Sequence, residues 1–241
     1  MLAASNRRRR VISAVFPVVF ALYPDITQLD FTGPYEVLIR VPGAQCTLAS
    51  VAGGTLETHG GMTFTGLRRL EEVESCALLC VPGGFGTVQA MEDRQYLAAV
   101  RRLAASARYV TSVCTGSLLL AAAGLLTGKR AATHWAWRES LAAFGAIPDA
   151  ARVVREGNIF TGGGVTAGID MALTVLAEIA GADYAQAVQL GIEYAPMPPF
   201  DCGRPELARP EIVAAARKRS DTVKAQRDAA VRRAAAALAA Q

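Results

Sequence analysis

The chain has 241 residues, of which 52% are hydrophobic and 19% are charged, and its formal net charge is +4. This size and composition predict a globular protein with one large α/β domain, in which disorder is confined to the ends of the chain. The positive charge comes largely from the termini, at Arg7–Arg10 and beyond Arg209. Basic residues scattered among alanines are more typical of a solvated helix face than of a nucleic-acid-binding surface, so no nucleic-acid partner is expected.

The N-terminal segment joins a run of arginines to the apolar residues Val11–Leu22, a combination that imitates a secretory signal. Pro17 interrupts the apolar run, and no small-residue cleavage site follows it. We therefore interpret residues 1–10 as a flexible basic extension and residues 11–22 as a first buried strand. The run is too short and broken for a transmembrane helix, so no membrane partner is expected.

Apolar runs then alternate with segments of helical periodicity, which is typical of a mostly parallel sheet with helices on both faces. A loop carrying Asp30 leads to a short helix entered near Gly33 and Pro34. Further strands are predicted within residues 44–53, 76–86 and 108–114, with short strands or a hairpin at 53–67 and two strands at 151–164. Helices are predicted at residues 92–107, 115–126, 165–181 and 183–194, and a short strand followed by a helix at 131–146.

The end of the α/β pattern is marked by the proline-rich residues 195–206. Beyond them, residues 210–241 can form one long alanine-rich helix. The predicted organisation is therefore a basic extension at 1–10, an α/β domain at 11–209 and a helical C-terminal extension at 210–241. Within the domain, the helix at 115–126 is expected to end where Gly128 supplies a left-handed cap.

Cys114 stands where the apolar run R-Y-V-T-S-V-C becomes, without a loop, the helical sequence T-G-S-L-L-L. This arrangement predicts a tight strand-to-helix elbow, with Gly116 two residues later at a position where a larger side chain would crowd its neighbours. The helix N-terminus would lower the pKa of the thiol, which makes Cys114 a candidate nucleophile. A small buried residue at the end of a strand is an equally good explanation of the same pattern.

The other four cysteines show no pairing pattern, because five cysteines are an odd number and no C-x-x-C motif occurs. Disulfides are therefore not expected, and a reducing, cytoplasmic location is. With only two histidines and no clustered ligand spacing, no metal site is expected.

Asp30 is the most plausible acid/base partner, because no histidine follows His134 and the loop after the first strand lies at the same edge of the sheet as the elbow. An aspartate that caps the following helix is the alternative.

The amides of Gly83 and Gly84 can form an anion or oxyanion pocket at the end of the next strand, or an ordinary turn. Gly164 and Val165 are expected to line the pocket at a helix N-terminus, and His134 either approaches the site or is simply packed.

Taken together, the segments Q-L-D-F-T-G-P, V-P-G-G-F-G, V-T-S-V-C-T-G-S and F-T-G-G-G-V-T-A-G-I-D resemble the DJ-1/PfpI superfamily over about residues 11–210. Its fold is a flavodoxin-like α/β sandwich, related to class I glutamine amidotransferases, with a nucleophile-elbow cysteine. Within the superfamily the chain looks most like the isonitrile hydratases, whose members have Asp in the first loop and Cys-Thr at the elbow. The basic N-terminal extension departs from the family pattern.

The resemblance implies a homodimer that needs no cofactor and hydrates a small-molecule isocyanide to an N-substituted formamide. It implies Cys114 as nucleophile, Asp30 as acid/base, Thr115 as a hydrogen-bonding residue and the Gly83 and Gly84 amides as pocket donors. Three alternatives stay open: a redox-sensing stress protein, a hydrolase or glyoxalase-like enzyme, and a regulator domain without its DNA-binding module. Only about thirty residues follow residue 210 and they show no helix-turn-helix pattern, which argues against the regulator.

Overall fold

The structure is a computed structural model that describes residues 15–221 and 224–240. The strands are β1 (Phe16–Ala21), β2 (Ala44–Ser50), β3 (Gly54–Glu57), β4 (Thr63–Arg69), β5 (Leu78–Val81), β6 (Tyr109–Val113), β7 (Arg130–Ala132), β8 (Ile147–Asp149), β9 (Val153–Glu156) and β10 (Ile159–Gly162). The α-helices are α1 (Leu29–Leu38), α2 (Thr87–Ala90), α3 (Arg94–Ser106), α4 (Gly116–Ala122), α5 (Ala167–Ala180), α6 (Ala182–Gly191), α7 (Pro210–Asp221) and α8 (Lys224–Ala239). Two 3₁₀ helices cover Leu70–Glu72 and Trp135–Phe144.

The central sheet has eight strands in the order β3-β4-β2-β1-β5-β6-β10-β9. Pairing is parallel from β4 through to β10, and only the outer pairs β3/β4 and β10/β9 are antiparallel. The middle strands are buried on both faces, which is why β5 and β6 appear in the sequence as nearly continuous apolar runs. The flanking helices complete a flavodoxin-like α/β fold, which confirms the predicted fold class.

Helix α1 begins earlier than the sequence predicted, at Leu29, so Asp30 lies in its first turn and Pro34 lies inside the helix. The first turn is tied by a hydrogen bond of 3.0 Å from the Asp30 amide to the Thr27 carbonyl. An acidic residue in the first turn is favoured by the helix dipole. The carboxyl of Asp30 does not cap this helix, however, because its hydrogen bond goes to another element.

Helix α4 ends earlier than predicted, at Ala122 instead of near Gly128. Gly124 adopts the left-handed conformation, with φ of 78°, and the Leu125 amide reaches back to the Leu120 carbonyl at 3.0 Å. This pattern is the glycine-based helix stop that the sequence analysis assigned to the later glycine. Gly128 also has a positive φ, of 73°, but it lies in the turn that leads into β7.

The C-terminal segment is helical on both sides of residues 222–223, which lie outside the described residues, and α7 and α8 fall within the helical extension predicted at 210–241. Helix α8 packs against α2, α4 and the 3₁₀ helix Trp135–Phe144, and it buries Ala230, Val231 and Ala234. The predicted basic extension at 1–10 and the first four residues of the predicted first strand also lie outside the described residues. Among the described residues, no helix is both long enough and apolar enough to span a bilayer.

Candidate active site

Cys114 occupies the turn between β6 and α4 with a φ of 55°, a conformation that residues other than glycine seldom adopt. The turn is held by hydrogen bonds from the Cys114 amide to the Gly162 carbonyl, at 3.1 Å, and from the Thr133 hydroxyl to the Cys114 carbonyl, at 2.8 Å. Such strain persists only where the surroundings determine the backbone, and it is common at functional sites. The structure therefore contains the elbow that the sequence predicted.

Gly116 allows the elbow to pack tightly against the neighbouring strand. A Cβ atom at this position would lie 2.1 Å from the Val81 carbonyl oxygen and 2.8 Å from the Pro82 carbonyl carbon. Both neighbours are backbone atoms, which cannot move aside cheaply. The requirement for glycine two residues after the cysteine is thus steric, as expected from the sequence.

Asp30 lies beside Cys114 and is fully buried. Its Oδ2 atom accepts a hydrogen bond of 3.0 Å from the Gly83 amide. Its Oδ1 atom is buried without a conventional hydrogen-bond partner, and the Cys114 thiol is close enough to affect the ionisation of the carboxyl. Burial raises the pKa of Asp30 from its usual 3.8 to about 7, although the thiol and the Gly83 amide act in the opposite direction. The topology has therefore brought the two predicted groups together.

The pKa of Cys114 is raised, although the sequence analysis expected the helix N-terminus to lower it. Burial is the largest cause, since the residue is only 5% exposed, and the charge of Asp30 adds to it. The Thr115 amide at the start of α4 acts in the expected direction but is outweighed. The resting site therefore favours a thiol beside a carboxyl group over an isolated thiolate.

Thr115 belongs to a hydrogen-bonded chain of hydroxyl groups beneath the site. Its Oγ1 atom accepts a hydrogen bond of 3.0 Å from the Gly84 amide and lies 2.7 Å from Oγ1 of Thr87. The Thr87 hydroxyl in turn lies 3.0 Å from the hydroxyl of the buried Tyr23. These contacts fix the orientation of Thr115 next to the cysteine.

Gly83 and Gly84 pack against the elbow, but their amides are already engaged by Asp30 and Thr115. A Cβ atom on Gly83 would lie 2.4 Å from the Thr115 amide nitrogen and 2.8 Å from Oδ2 of Asp30, so only glycine fits between the two. The predicted role of these amides as ligand donors thus differs from what the structure shows. In the described geometry they position the two functional side chains.

His134 lies at the edge of the site and caps the 3₁₀ helix that follows it. Its Nδ1 atom accepts a hydrogen bond of 3.3 Å from the Ala136 amide, and burial lowers its pKa. Because Nδ1 accepts this hydrogen bond, the neutral ring carries its proton on Nε2, and His134 forms part of the wall of the site. Gly164 lies behind this ring, where a Cβ atom would be 3.7 Å from Cδ2 of His134.

A cavity of about 570 Å³ opens above the elbow. Five of the predicted residues belong to the site's lining or floor: Gly84, Cys114, Thr115, His134 and Val165. Asp30 and Gly83 lie beneath this lining, and Gly164 faces a smaller neighbouring cavity. The apolar part of the lining comes from Phe85, Val88, Trp137 and Val165. The volume is typical of sites that hold a small organic molecule.

Helix α8 contributes Gln226 and Arg227 to the cavity, and the sequence analysis missed both. The sequence predicts a solvated face for the basic residues of this helix. No group of three or more potential metal-ligating side chains occurs within residues 15–221 and 224–240.

Comparisons with known proteins identify relatives of both catalytic and regulatory kinds. Residues 17–178 match the DJ-1/PfpI family. The isonitrile hydratase of Pseudomonas putida is 52% identical over 201 residues, which cover 83% of this chain and 88% of that protein. The HTH-type transcriptional regulator GlxA of Rhizobium meliloti is 31% identical over 192 residues, which cover 78% of this chain but only 59% of that protein.

Solved structures show the same arrangement of elements. The crystal structure of a ThiJ/PfpI family protein from Pseudomonas syringae has a TM-score of 0.87 and 35% identity, and it covers 96% of this chain and 97% of that one. Drosophila melanogaster DJ-1beta shares the fold with a TM-score of 0.67 at 22% identity, over 76% of this chain and all of that one.

Proposed function

The chain belongs to the DJ-1/PfpI family, and from that premise we propose that it hydrates isocyanides, R–N≡C, to N-substituted formamides. The observation that carries this function is the proximity of the Cys114 thiol to the buried Asp30 carboxyl, at the base of a cavity with apolar walls. The 52% identity to an isonitrile hydratase over most of both chains supports the same reaction. We propose Cys114 as nucleophile, Asp30 as acid/base and Thr115 as the residue that orients the elbow.

The first step begins with the proton on the Cys114 thiol. Asp30, with a pKa of about 7, accepts the thiol proton while the Cys114 sulfur attacks the terminal carbon of the isocyanide. The carbon–sulfur bond forms, and the electron pair released onto the carbon takes the proton back from Asp30. The product of this step is a thioimidate, R–N=CH–S–Cys114, and the original thiol proton has become the formyl hydrogen.

The second step is hydrolysis of the thioimidate. Asp30, again a carboxylate, accepts a proton from a water molecule as the water oxygen adds to the carbon, and it passes this proton to nitrogen. The carbon–sulfur bond then breaks, the second proton of the water returns to sulfur, and the formamide R–NH–CHO leaves. Water thus supplies the oxygen and two hydrogens, the free thiol is restored, and the steps use only side chains of this chain.

A redox-sensing role for the same cysteine is less well supported. Sensor cysteines combine a low pKa with solvent access. Cys114 has a raised pKa and is almost fully buried. These two properties suit a thiol that is activated by its neighbour when a substrate occupies the cavity.

The reaction class is tested by isotopic labelling of the product. The protein is incubated with 4-methoxyphenyl isocyanide in deuterated water enriched in ¹⁸O, and the product is analysed by NMR and mass spectrometry. We expect N-aryl formamide with deuterium on the formyl carbon and ¹⁸O in the carbonyl group, formed faster than in protein-free buffer. Isocyanide consumption equal to the protein-free rate would contradict the proposal.

We also propose that the protein acts as a homodimer in the cytoplasm. Large apolar side chains stay exposed near the end of α6 and in the proline-rich segment after it, at Leu190, Met197 and Phe200, and such surfaces suit a partner subunit. The five cysteines are unpaired, which suits a reducing compartment. Light scattering coupled to gel filtration tests the dimer, and a monomer at micromolar concentration would contradict it.

A further inference from the structure

We infer that Arg227 recognises a carboxylate on the substituent of the isocyanide, so that the preferred substrates are isocyano acids. The inference rests on the proposed hydration reaction and names the substrate class for the same cavity. It comes from a residue of α8, an element to which the sequence analysis assigned no role in the site.

Arg227 is held in the wall of the cavity by contacts that leave little freedom to its side chain. It is 7% exposed, and its guanidinium carbon lies 4.8 Å from the centre of the Trp137 ring. Its Nη1 atom donates a hydrogen bond of 3.2 Å to the Ala136 carbonyl, and its Nε atom donates one of 3.2 Å to Asp228. The guanidinium group is therefore oriented before any ligand arrives, which lowers the entropic cost of binding one.

Hydrogen-bond donors of Arg227 stay available to a ligand. A guanidinium group carries five N–H hydrogens, and the two contacts described above use one on Nε and one on Nη1. The second hydrogen of Nη1 and both hydrogens of Nη2 have no acceptor among the described residues. Donors on two adjacent nitrogens match the two oxygens of a carboxylate group.

The charge of Arg227 is only partly compensated. Asp228 forms ion pairs with both Arg227 and Lys224, so one carboxylate serves two cations. Asp228 does not line this cavity, and Asp25, the acidic residue that does, is exposed to solvent, where water screens its charge. Arg227 is buried, so its positive charge acts strongly on a ligand inside the cavity. The negative charge of the exposed Asp25 acts more weakly there.

The rest of the cavity restricts what this cation can bind. The isocyanide carbon must reach Cys114, and the walls formed by Phe85, Val88 and Val165 suit the hydrocarbon part of the substituent. A buried cation beside such walls favours a ligand that brings a negative charge to it. A molecule with an isocyanide at one end and a carboxylate at the other can present the isocyanide carbon to Cys114 and the carboxylate to Arg227.

The test compares isocyanoacetate with its methyl ester, which differ at this end of the molecule in charge and by one methyl group. The quantity measured is the ratio of kcat/KM for the acid to kcat/KM for the ester, because a general loss of activity cancels in it. We expect Arg227→Gln to lower this ratio about 10- to 100-fold, the usual effect of removing a charge-assisted hydrogen bond. Arg232→Gln is the matched control: it removes the same charge from an exposed position of α8, and it leaves the ratio unchanged.

Inhibition of the wild-type protein provides a second test that needs no variant. N-formylglycine, the product of isocyanoacetate hydration, should inhibit about tenfold more strongly than its methyl ester. Equal inhibition by the two, or an unchanged kcat/KM ratio in Arg227→Gln, would overturn the inference and leave Arg227 as an anchor for α8. A wild type that hydrates 4-methoxyphenyl isocyanide but neither of these compounds would likewise overturn the inference, whereas failure with all three would contradict the proposed function itself.

Discussion

The Gly83 amide donates a hydrogen bond of 3.0 Å to Oδ2 of Asp30, and it joins the end of β5 to the first turn of α1 across the base of the cavity. This is the one conventional hydrogen bond that the buried carboxyl accepts from the described residues. A single amide does not compensate for the loss of water around a carboxylate, so the pKa of Asp30 rises to about 7. An acid/base group that titrates near neutral pH is thus maintained at a cost in stability.

That cost predicts how stability changes with pH. Because the folded-state pKa of Asp30 lies above its usual value of 3.8, stability is highest while the carboxyl is protonated and falls as the pH rises through about 7. The shift corresponds to at most about 4 kcal/mol. We expect Asp30→Asn to stabilise the protein at pH 8 by about 2–4 kcal/mol and to change its stability little at pH 4.

Urea denaturation at the two pH values measures this effect. Asp201→Asn is the control, because it removes an exposed carboxylate from a loop. Equal effects of Asp30→Asn at pH 4 and pH 8 would show that the carboxyl does not titrate between them.

The same group predicts the pH dependence of turnover. Asp30 must be ionised to accept the thiol proton, so kcat/KM should rise with pH through about 7 and then level off. The profile is measured between pH 5 and 9 with a neutral isocyanide, so that the substrate itself does not titrate. In Asp30→Asn the residual activity should lack this rise, and a wild-type profile that is flat from pH 5 to 8 would count against the assigned acid/base.

Thr115 provides a test of the hydroxyl network. Thr115→Val keeps the shape of the side chain but leaves the Gly84 amide without its acceptor, and it removes one of the three contacts of the Thr87 hydroxyl. We expect a loss of about 1–3 kcal/mol in unfolding free energy and a lower kcat. Thr115→Ser retains the hydroxyl group and should recover most of both quantities. If the valine and serine variants behave alike, the network is not what positions the elbow.

Gly116 provides a test of the close packing at the elbow. A methyl group there meets the Val81 carbonyl oxygen at 2.1 Å, so Gly116→Ala should lower the unfolding free energy by about 3 kcal/mol or more. Gly191→Ala is the matched control, because a methyl group at that position of α6 meets no atom within 4 Å. Thermal unfolding of both variants measures this difference in stability. Similar melting temperatures would mean that the backbone around Cys114 can shift to accommodate the methyl group at little cost in free energy.

Much of the site could be predicted because it depends on local sequence and on strand order. The apolar run that becomes a helix at Cys114 identifies the elbow directly. The parallel order of β1, β5 and β6 brings the residues after each strand to one edge of the sheet, which places Asp30 and Gly83 near the cysteine. Both inferences require only the direction of the strands and no knowledge of side-chain contacts.

The rest depends on contacts that local sequence does not encode. The direction of the Cys114 pKa shift follows from burial and from the charge of Asp30, and both outweigh the local effect of the helix N-terminus. The position of Arg227 depends on where α8 packs in three dimensions. One signal was present: Arg227 shares a helical face with Ala230, Val231 and Ala234, which are all buried, so the spacing indicated a packed face that also contains the arginine.

The most direct test of the central claim, that Cys114 and Asp30 together hydrate isocyanides, is formamide production by the wild type beside Cys114→Ala and Asp30→Asn. We predict turnover in the wild type, a decrease of about 1,000-fold or more in Cys114→Ala and about 100-fold or more in Asp30→Asn, with near-ultraviolet circular dichroism unchanged in both. Cys202→Ala removes an exposed cysteine and should retain full activity. Formamide production that persists in folded Cys114→Ala would contradict the account.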